Sequence, residues 1–339
     1  MAPQNLLELL HSRTVVDCDT MEFDVAQSLG PFTDCTSNQA IAFFELQKPE
    51  NKSLLNETAE TTKKLLGEYK NVSYQELAVE VAMVELQLAI ASVVTGFVHV
   101  QTNPYHSYDS KKMVEDAGRI ISIFRHLDPS FDTKRICLKI PSTWEGIEAC
   151  KTLEANGVTT LATTLFTIEQ ASLAGEVGCT YVAPYVNELK VHFEAGFIDT
   201  NRAHGLCLEI QQYYRKNNHK TKVLPASLTN IDEIMILAGV DHITIAPALL
   251  RELAATPVEG YAVKSIFDKS SEEEKVPSLI NFASESDWRI AFTRSGKGEG
   301  ERKLSQAINI FCDMQTQLET MFSGQKKPHQ GLETAPSGV

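Results

Sequence analysis

RICLKIPS, running from Arg135 to Ser142, is the stretch on which the fold turns. Strand side chains alternate between faces, so Ile136, Leu138 and Ile140 share one side and Cys137 and Lys139 the other. A strand whose outer face must meet helices carries its apolar residues there, which sends Lys139 to the inner face of a closed sheet. Working outward, eight such strand candidates occur: Thr14–Asp19, Phe32–Thr36, Gly96–Gln101, Arg135–Ile140, Val158–Thr163, Thr180–Tyr185, Lys222–Ser227 and His242–Ile245. Between them the spacing predicts helices over Asn38–Gln47, Ser53–Tyr69, Ser73–Ser92, Asp109–His126, Thr143–Asn156, Ile168–Val177, Thr200–Lys216 and Ile231–Ala238. Strands alternating with helices read as parallel βαβ units, and eight is the number that closes a (β/α)8 TIM barrel. An open, doubly wound sheet is the structural alternative.

After Ile245 the pattern changes. Helices are predicted over Pro247–Ala255 and Glu301–Phe322, joined by a polar connection that includes GKGEGE (Gly296–Glu301), read as a solvated loop because it follows no strand and lacks the P-loop pattern. The expectation is one barrel domain over residues 1–323, C-terminal helices included, and a disordered tail over 324–339.

The chain has 339 residues, a hydrophobic fraction of 43% and a formal net charge of −13. That supports a large core and argues against a binder of nucleic-acid phosphates, which needs a basic face. No run of about 18 apolar residues suggests a membrane span; Leu77–Val94, the richest, is interrupted by Glu80, Glu85 and Gln87. The N-terminus lacks a basic start followed by an apolar run, so no secretory signal is expected. The seven cysteines are dispersed and never in a C-x-x-C pair, which fits reduced thiols in a cytoplasmic protein. None of the nine histidines has metal-ligand spacing, and no metal is expected.

The same parity sends Asp17 and Asp19 inward on the first strand, His99 and Gln101 on the third, and Thr163, Tyr185 and Ser227 near the ends of theirs. Asn38 follows the second strand directly. A polar set thus converges on the C-terminal mouth, where barrel enzymes keep their sites. Each could instead be a satisfied core group. For the lysine that bland reading is weaker, because an interior ammonium costs several kcal/mol unless paired. Burial favours the neutral amine, the form that carbonyl chemistry uses. A structural Lys139–Asp19 ion pair is the competing reading.

At these residues the chain resembles the transaldolase family. The matching stretches are DCTSNQAI (Asp34–Ile41), LKIPSTWEGI (Leu138–Ile147), TTLFTIEQA (Thr163–Ala171) and HITIAPALLREL (His242–Leu253), and the resemblance runs from about Thr14 to Phe322. It implies a (β/α)8 barrel, a Schiff-base lysine, and neither metal nor cofactor. Lys139 matches that lysine, Asp19 the acid/base aspartate in preference to Asp17, and Thr163 the threonine that helps hold a catalytic water. Asn38, with Thr36 in the same motif, and Ser227 match substrate-binding positions.

The departures are equally informative. Gln101 stands where transaldolases have glutamate, and Tyr185 where they have phenylalanine. Both are residue types of the related fructose-6-phosphate aldolases, whose APYVN run the chain shares. Glu188 and Thr229 replace the two phosphate-gripping arginines, and Leu161 an asparagine. A carboxylate would repel a phosphate dianion that two guanidinium groups would bind; Lys190 on the same loop is a candidate to compensate. The resemblance implies a class I aldolase or ketol transferase that splits or transfers a three-carbon unit from a dihydroxyacetone-bearing ketose to an aldehyde acceptor, with weak preference for phosphorylated substrates. Tyr185, a tyrosine that helps hydrolysis, weights it toward the aldolase outcome. The alternatives are a conventional transaldolase of the pentose phosphate pathway, acting on sedoheptulose 7-phosphate and glyceraldehyde 3-phosphate, or a sugar-binding homologue without turnover. The family's dimers suggest a homodimer.

Overall fold

The computed structural model describes residues 3–269 and 279–323, so the tail expected over 324–339 lies outside the described residues. In chain order the elements are α1 (Leu6–His11), β1 (Val15–Asp19), α2 (Phe23–Ser28), β2 (Cys35–Thr36), α3 (Gln39–Leu46), α4 (Lys52–Leu65) and α5 (Tyr74–Ala91). There follow β3 (Val98–Gln101), α6 (Ser110–Leu127), β4 (Ile136–Pro141), α7 (Trp144–Ala155), β5 (Thr159–Leu165), α8 (Ile168–Val177) and β6 (Tyr181–Pro184). The last are α9 (His204–Lys216), β7 (Lys222–Val223), α10 (Ile231–Ile236), β8 (His242–Ile245), α11 (Pro247–Ala255), α12 (Glu285–Arg294) and α13 (Glu299–Met321).

All eight strands run parallel in the order β7-β6-β5-β4-β3-β2-β1-β8. The ring is drawn together where the Thr244 amide donates to the Pro225 carbonyl at 3.3 Å. This is the (β/α)8 TIM barrel with added C-terminal helices. The outward residues Val16, Cys18, Val98, Val100, Leu138 and Ile140 join the main core under the helices. A smaller interior cluster contains Cys137, Leu161, Tyr181, Tyr185, Leu224 and Phe311. All seven cysteines are free thiols.

Two expected strands are shortened by their own chemistry. In the second, the Asp34 amide is taken by the Asp17 carboxylate at 2.8 Å, which leaves only Cys35 and Thr36 in the ladder. In the seventh, Pro225 has no N–H to donate, and pairing returns as a single bridge between Ala226 and Tyr185. Three helices escaped the periodicity reading: α1, α2 and α12. Each is short, and α12 buries only Trp288 and Phe292, a signal lost among charged neighbours.

GKGEGE is only in part the solvated loop expected: Gly296 and Lys297 are exposed, but a helix begins at Glu299 and Gly300 is buried. Gly296, Lys297 and Gly298 adopt left-handed backbone, and the chain then turns directly into α13. A Cβ at Gly300 would lie 2.2 Å from Thr167 Cγ2, so the first turn of α13 packs on the cap of α8. Gly300→Ala is therefore expected to destabilise the protein by about 1–3 kcal/mol through overpacking. Urea unfolding checks this, and an unchanged midpoint would refute the contact.

Candidate active site

The helix termini place the mouth residues. Asn38 caps α3, its Oδ1 accepting from the amides of Ala40 at 2.9 Å and Ile41 at 3.0 Å. Thr143 caps α7, and the Pro141 carbonyl would sit 1.9 Å from a Cβ at Gly146, so only glycine lets α7 approach the end of β4 this closely. Cross-strand register sets Lys139 beside Gln101 on β3 and Leu161 on β5.

Lys139 is 2% exposed, yet its side chain lines a narrow cleft at the barrel mouth. Among the described residues its Nζ has no hydrogen bond, and no ion pair within 4.0 Å. The ion-pair reading therefore fails: Asp19 lines the same cleft and feels the lysine's charge, but does not lock it. The Asp19 carboxylate accepts from Thr36 Oγ1 at 2.5 Å, and Thr36 Oγ1 lies 2.6 Å from Thr244 Oγ1. Burial pushes the Asp19 carboxyl above the usual range, although the lysine's charge and the Thr36 hydrogen bond pull it back in part.

Asp17 belongs to a layer below. Its carboxylate meets His242 Nδ1 at 2.9 Å, while Asp34 Oδ2 meets His99 Nε2 at 3.0 Å. Burial raises Asp17 to about 6. Asp34 is held below the ordinary range because the His99 hydrogen bond and charge outweigh its burial. Asp17, Asp34 and His242 could supply metal ligands, as could Glu76, His106 and Asp116. In both sets the carboxylates are already paired, to histidines in the first and to His106 and Arg119 in the second.

Asp19, Asn38, Lys139, Tyr185 and Ser227 line the cleft together. Thr163 stands behind it, its Oγ1 donating to Tyr185 OH at 3.4 Å. Gln101 is buried in the wall with Oε1 unpartnered, an acceptor free for a proton donor near the lysine. Thr36 acts at one remove, through Asp19.

Glu188 and Thr229 do not line the cleft. Glu188 accepts from Arg302 Nη1 at 2.8 Å and from Gln306 Nε2 at 2.7 Å, both on α13. The expected direct repulsion of phosphate by Glu188 is corrected accordingly: its charge is compensated and turned to the helix. Thr229 is exposed and bonds Glu233 through its amide at 2.8 Å and hydroxyl at 3.0 Å. Lys190 pairs with Glu194 at 2.7 Å and lies over the Phe197 ring, so it does not compensate either. The cleft is instead closed by residues the sequence reading missed: Leu189, His192, Phe193, Thr244 and Phe311. Phe311 comes from α13, far along the chain and outside any local motif. Only the interior parity of β8 could have flagged Thr244.

Comparison with known proteins agrees with this architecture. The family profile described as Transaldolase/Fructose-6-phosphate aldolase matches residues 16–321. A "Probable transaldolase" of Dictyostelium discoideum is 32% identical over 323 residues, covering 90% of this chain and 96% of that protein. A "Transaldolase" of Shewanella frigidimarina is 30% identical, covering 94% and 98%. One of Methylococcus capsulatus is 33% identical, covering 76% and 79%. No helix among the described residues is long and apolar enough to cross a membrane. With its eight-stranded parallel barrel and the family profile spanning nearly its whole length, this chain belongs to the transaldolase/fructose-6-phosphate aldolase family of enzymes.

Proposed function

We propose that the chain is a class I aldolase or ketol transferase in which Lys139 forms a Schiff base with a dihydroxyacetone-bearing ketose. The observation that carries this reading is the buried Lys139 amine, unbonded and facing a cleft with Asp19 beside it. The amine adds to the ketone carbon, giving a carbinolamine. Loss of water needs a proton on the departing hydroxyl; Tyr185, whose hydroxyl accepts from Thr163, supplies one through a water, with Gln101 beside the lysine helping to hold that water. The iminium then draws electrons. Asp19 takes the proton of the hydroxyl beta to the iminium carbon, the carbon–carbon bond breaks, an aldehyde leaves and an enamine remains on Lys139. Asn38 and Ser227 hold donor hydroxyls.

Protonation and hydrolysis of the enamine give an aldolase; attack on a second aldehyde gives a transferase. A tyrosine at position 185, able to assist hydrolysis, supports the first. The names of the relatives favour the second. Borohydride reduction with fructose or dihydroxyacetone decides the chemistry. A mass increment on the Lys139 peptide is expected; an intact, folded and unmodified chain would indicate a binding protein instead. Phosphorylated donors should be used poorly, because Lys139 is the sole cationic side chain lining the cleft among the described residues. Fructose is thus expected to match or exceed fructose 6-phosphate in kcat/KM. A clear preference for the phosphate ester would reverse this conclusion.

A further inference from the structure

His192 lines the same cleft as the lysine and no motif marks it. It ends the helical turn Leu189–His192 that follows β6. Its Nε2 lies 3.0 Å from Ser227 Oγ. No carboxylate pairs with the ring among the described residues, and burial pushes the imidazole down to about 4, so it is neutral near pH 7. Ser227 itself is held in an unusual posture, with φ of 61°. A non-glycine residue pays about 1–3 kcal/mol for such backbone unless its surroundings fix it. Asn187 does so, donating to the Ser227 carbonyl from its amide at 3.2 Å and from Nδ2 at 2.9 Å. Around this pair the wall is apolar: Leu189, Phe193, Leu228 and Phe311.

We infer that His192 is a specificity-determining residue that, with Ser227, selects substrates whose chain end beyond the reacting carbonyl is uncharged and hydroxyl-bearing. The two side chains share one hydrogen bond in either sense. If Nε2 donates to Ser227, the serine hydroxyl can donate to a ligand. If Nε2 accepts, the serine oxygen can accept from a ligand. An alcohol, being both donor and acceptor, is satisfied either way. A phosphate dianion only accepts, and among the described residues this end of the cleft offers it no guanidinium or ammonium. The inference rests on the cleft being the sugar site proposed above, and is independent of what Lys139 does there.

The test uses ligands that cannot form an imine: ribitol and ribitol 5-phosphate, titrated calorimetrically into the full chain. Wild type is expected to bind ribitol at least as tightly as its phosphate. His192→Phe keeps the ring's bulk and loses the hydrogen bond, and should weaken ribitol about 10-fold. His192→Gln, which keeps a donor and an acceptor near the Nε2 position, should stay within about 3-fold of wild type. Ser227→Ala should weaken ribitol as His192→Phe does, and the double variant little further, because the pair acts as one unit. His192→Arg should turn the preference toward the phosphate ester. Unaltered ribitol binding in His192→Phe, additive losses in the double variant, a wild-type preference for the phosphate, or no wild-type binding of ribitol would each overturn the inference. Borohydride capture separates the two proposals: failure to label Lys139 with His192-dependent ribitol binding intact strikes the Schiff-base reading alone.

Discussion

Lys139→Met is expected to abolish borohydride capture of a ketose and to lower kcat/KM about 10^5-fold, or about 7 kcal/mol of transition-state stabilisation. The thioether fills nearly the same volume as the lysine stem, so the wall against Leu161 and Gln101 should survive. The prediction discriminates between two roles for a buried amine. Were Lys139 a structural counter-ion, its loss would strand Asp19 and destabilise the fold by about 3–5 kcal/mol. The geometry argues otherwise, since no ion pair joins them and burial already favours the protonated carboxyl of Asp19. Thermal unfolding should therefore move by only a few degrees. Lys139→Arg sharpens the test, because it keeps a cation but cannot form an imine. An active arginine variant, or a methionine variant that retains turnover, would remove the covalent mechanism altogether.

The barrel was legible because its signal is repeated. Eight apolar strands each separated by an amphipathic helix leave few other architectures, and a single lysine at an inward position fixed the parity for all of them. Strand ends were less legible, because single contacts decide them: the Asp17–Asp34 hydrogen bond shortens β2, and Pro225 interrupts β7. The half of the site carried by strand parity and the Asn38 cap was readable. The other half was not. Glu188 could be seen to replace an arginine, but its capture by Arg302 depends on where α13 crosses the mouth. That crossing is set by Lys303, whose buried ammonium bonds Asp199 at 2.7 Å and the Asn201 carbonyl at 2.8 Å, and by Gly300 against Thr167. Such long-range contacts leave no periodicity in the sequence. They nevertheless decide the cleft's shape, since Phe311 comes with that helix.

Asp19→Asn separates the two halves of the proposed chemistry. An amide cannot accept the proton that must leave the ketose hydroxyl, so carbon–carbon cleavage should slow by about 10^2–10^4-fold. Imine formation draws on Lys139 and on the Tyr185 side of the cleft, so capture by borohydride should persist. A variant that loses capture and cleavage equally would place Asp19 in imine formation and not in bond breaking. The pH dependence gives an independent check. Only the ionised carboxylate can act as base, so activity falls as pH drops through the Asp19 titration, and burial sets that limb above the ordinary carboxylate value of 3.8. The Thr36 hydrogen bond, at 2.5 Å, favours the ionised form and so pulls the limb down. Thr36→Val keeps the shape and removes that bond. Its acid limb in kcat/KM should therefore move to higher pH, with the alkaline side unchanged. A limb that stays in place, or moves to lower pH, would mean that another group governs the acidic side and that Asp19 is not the base.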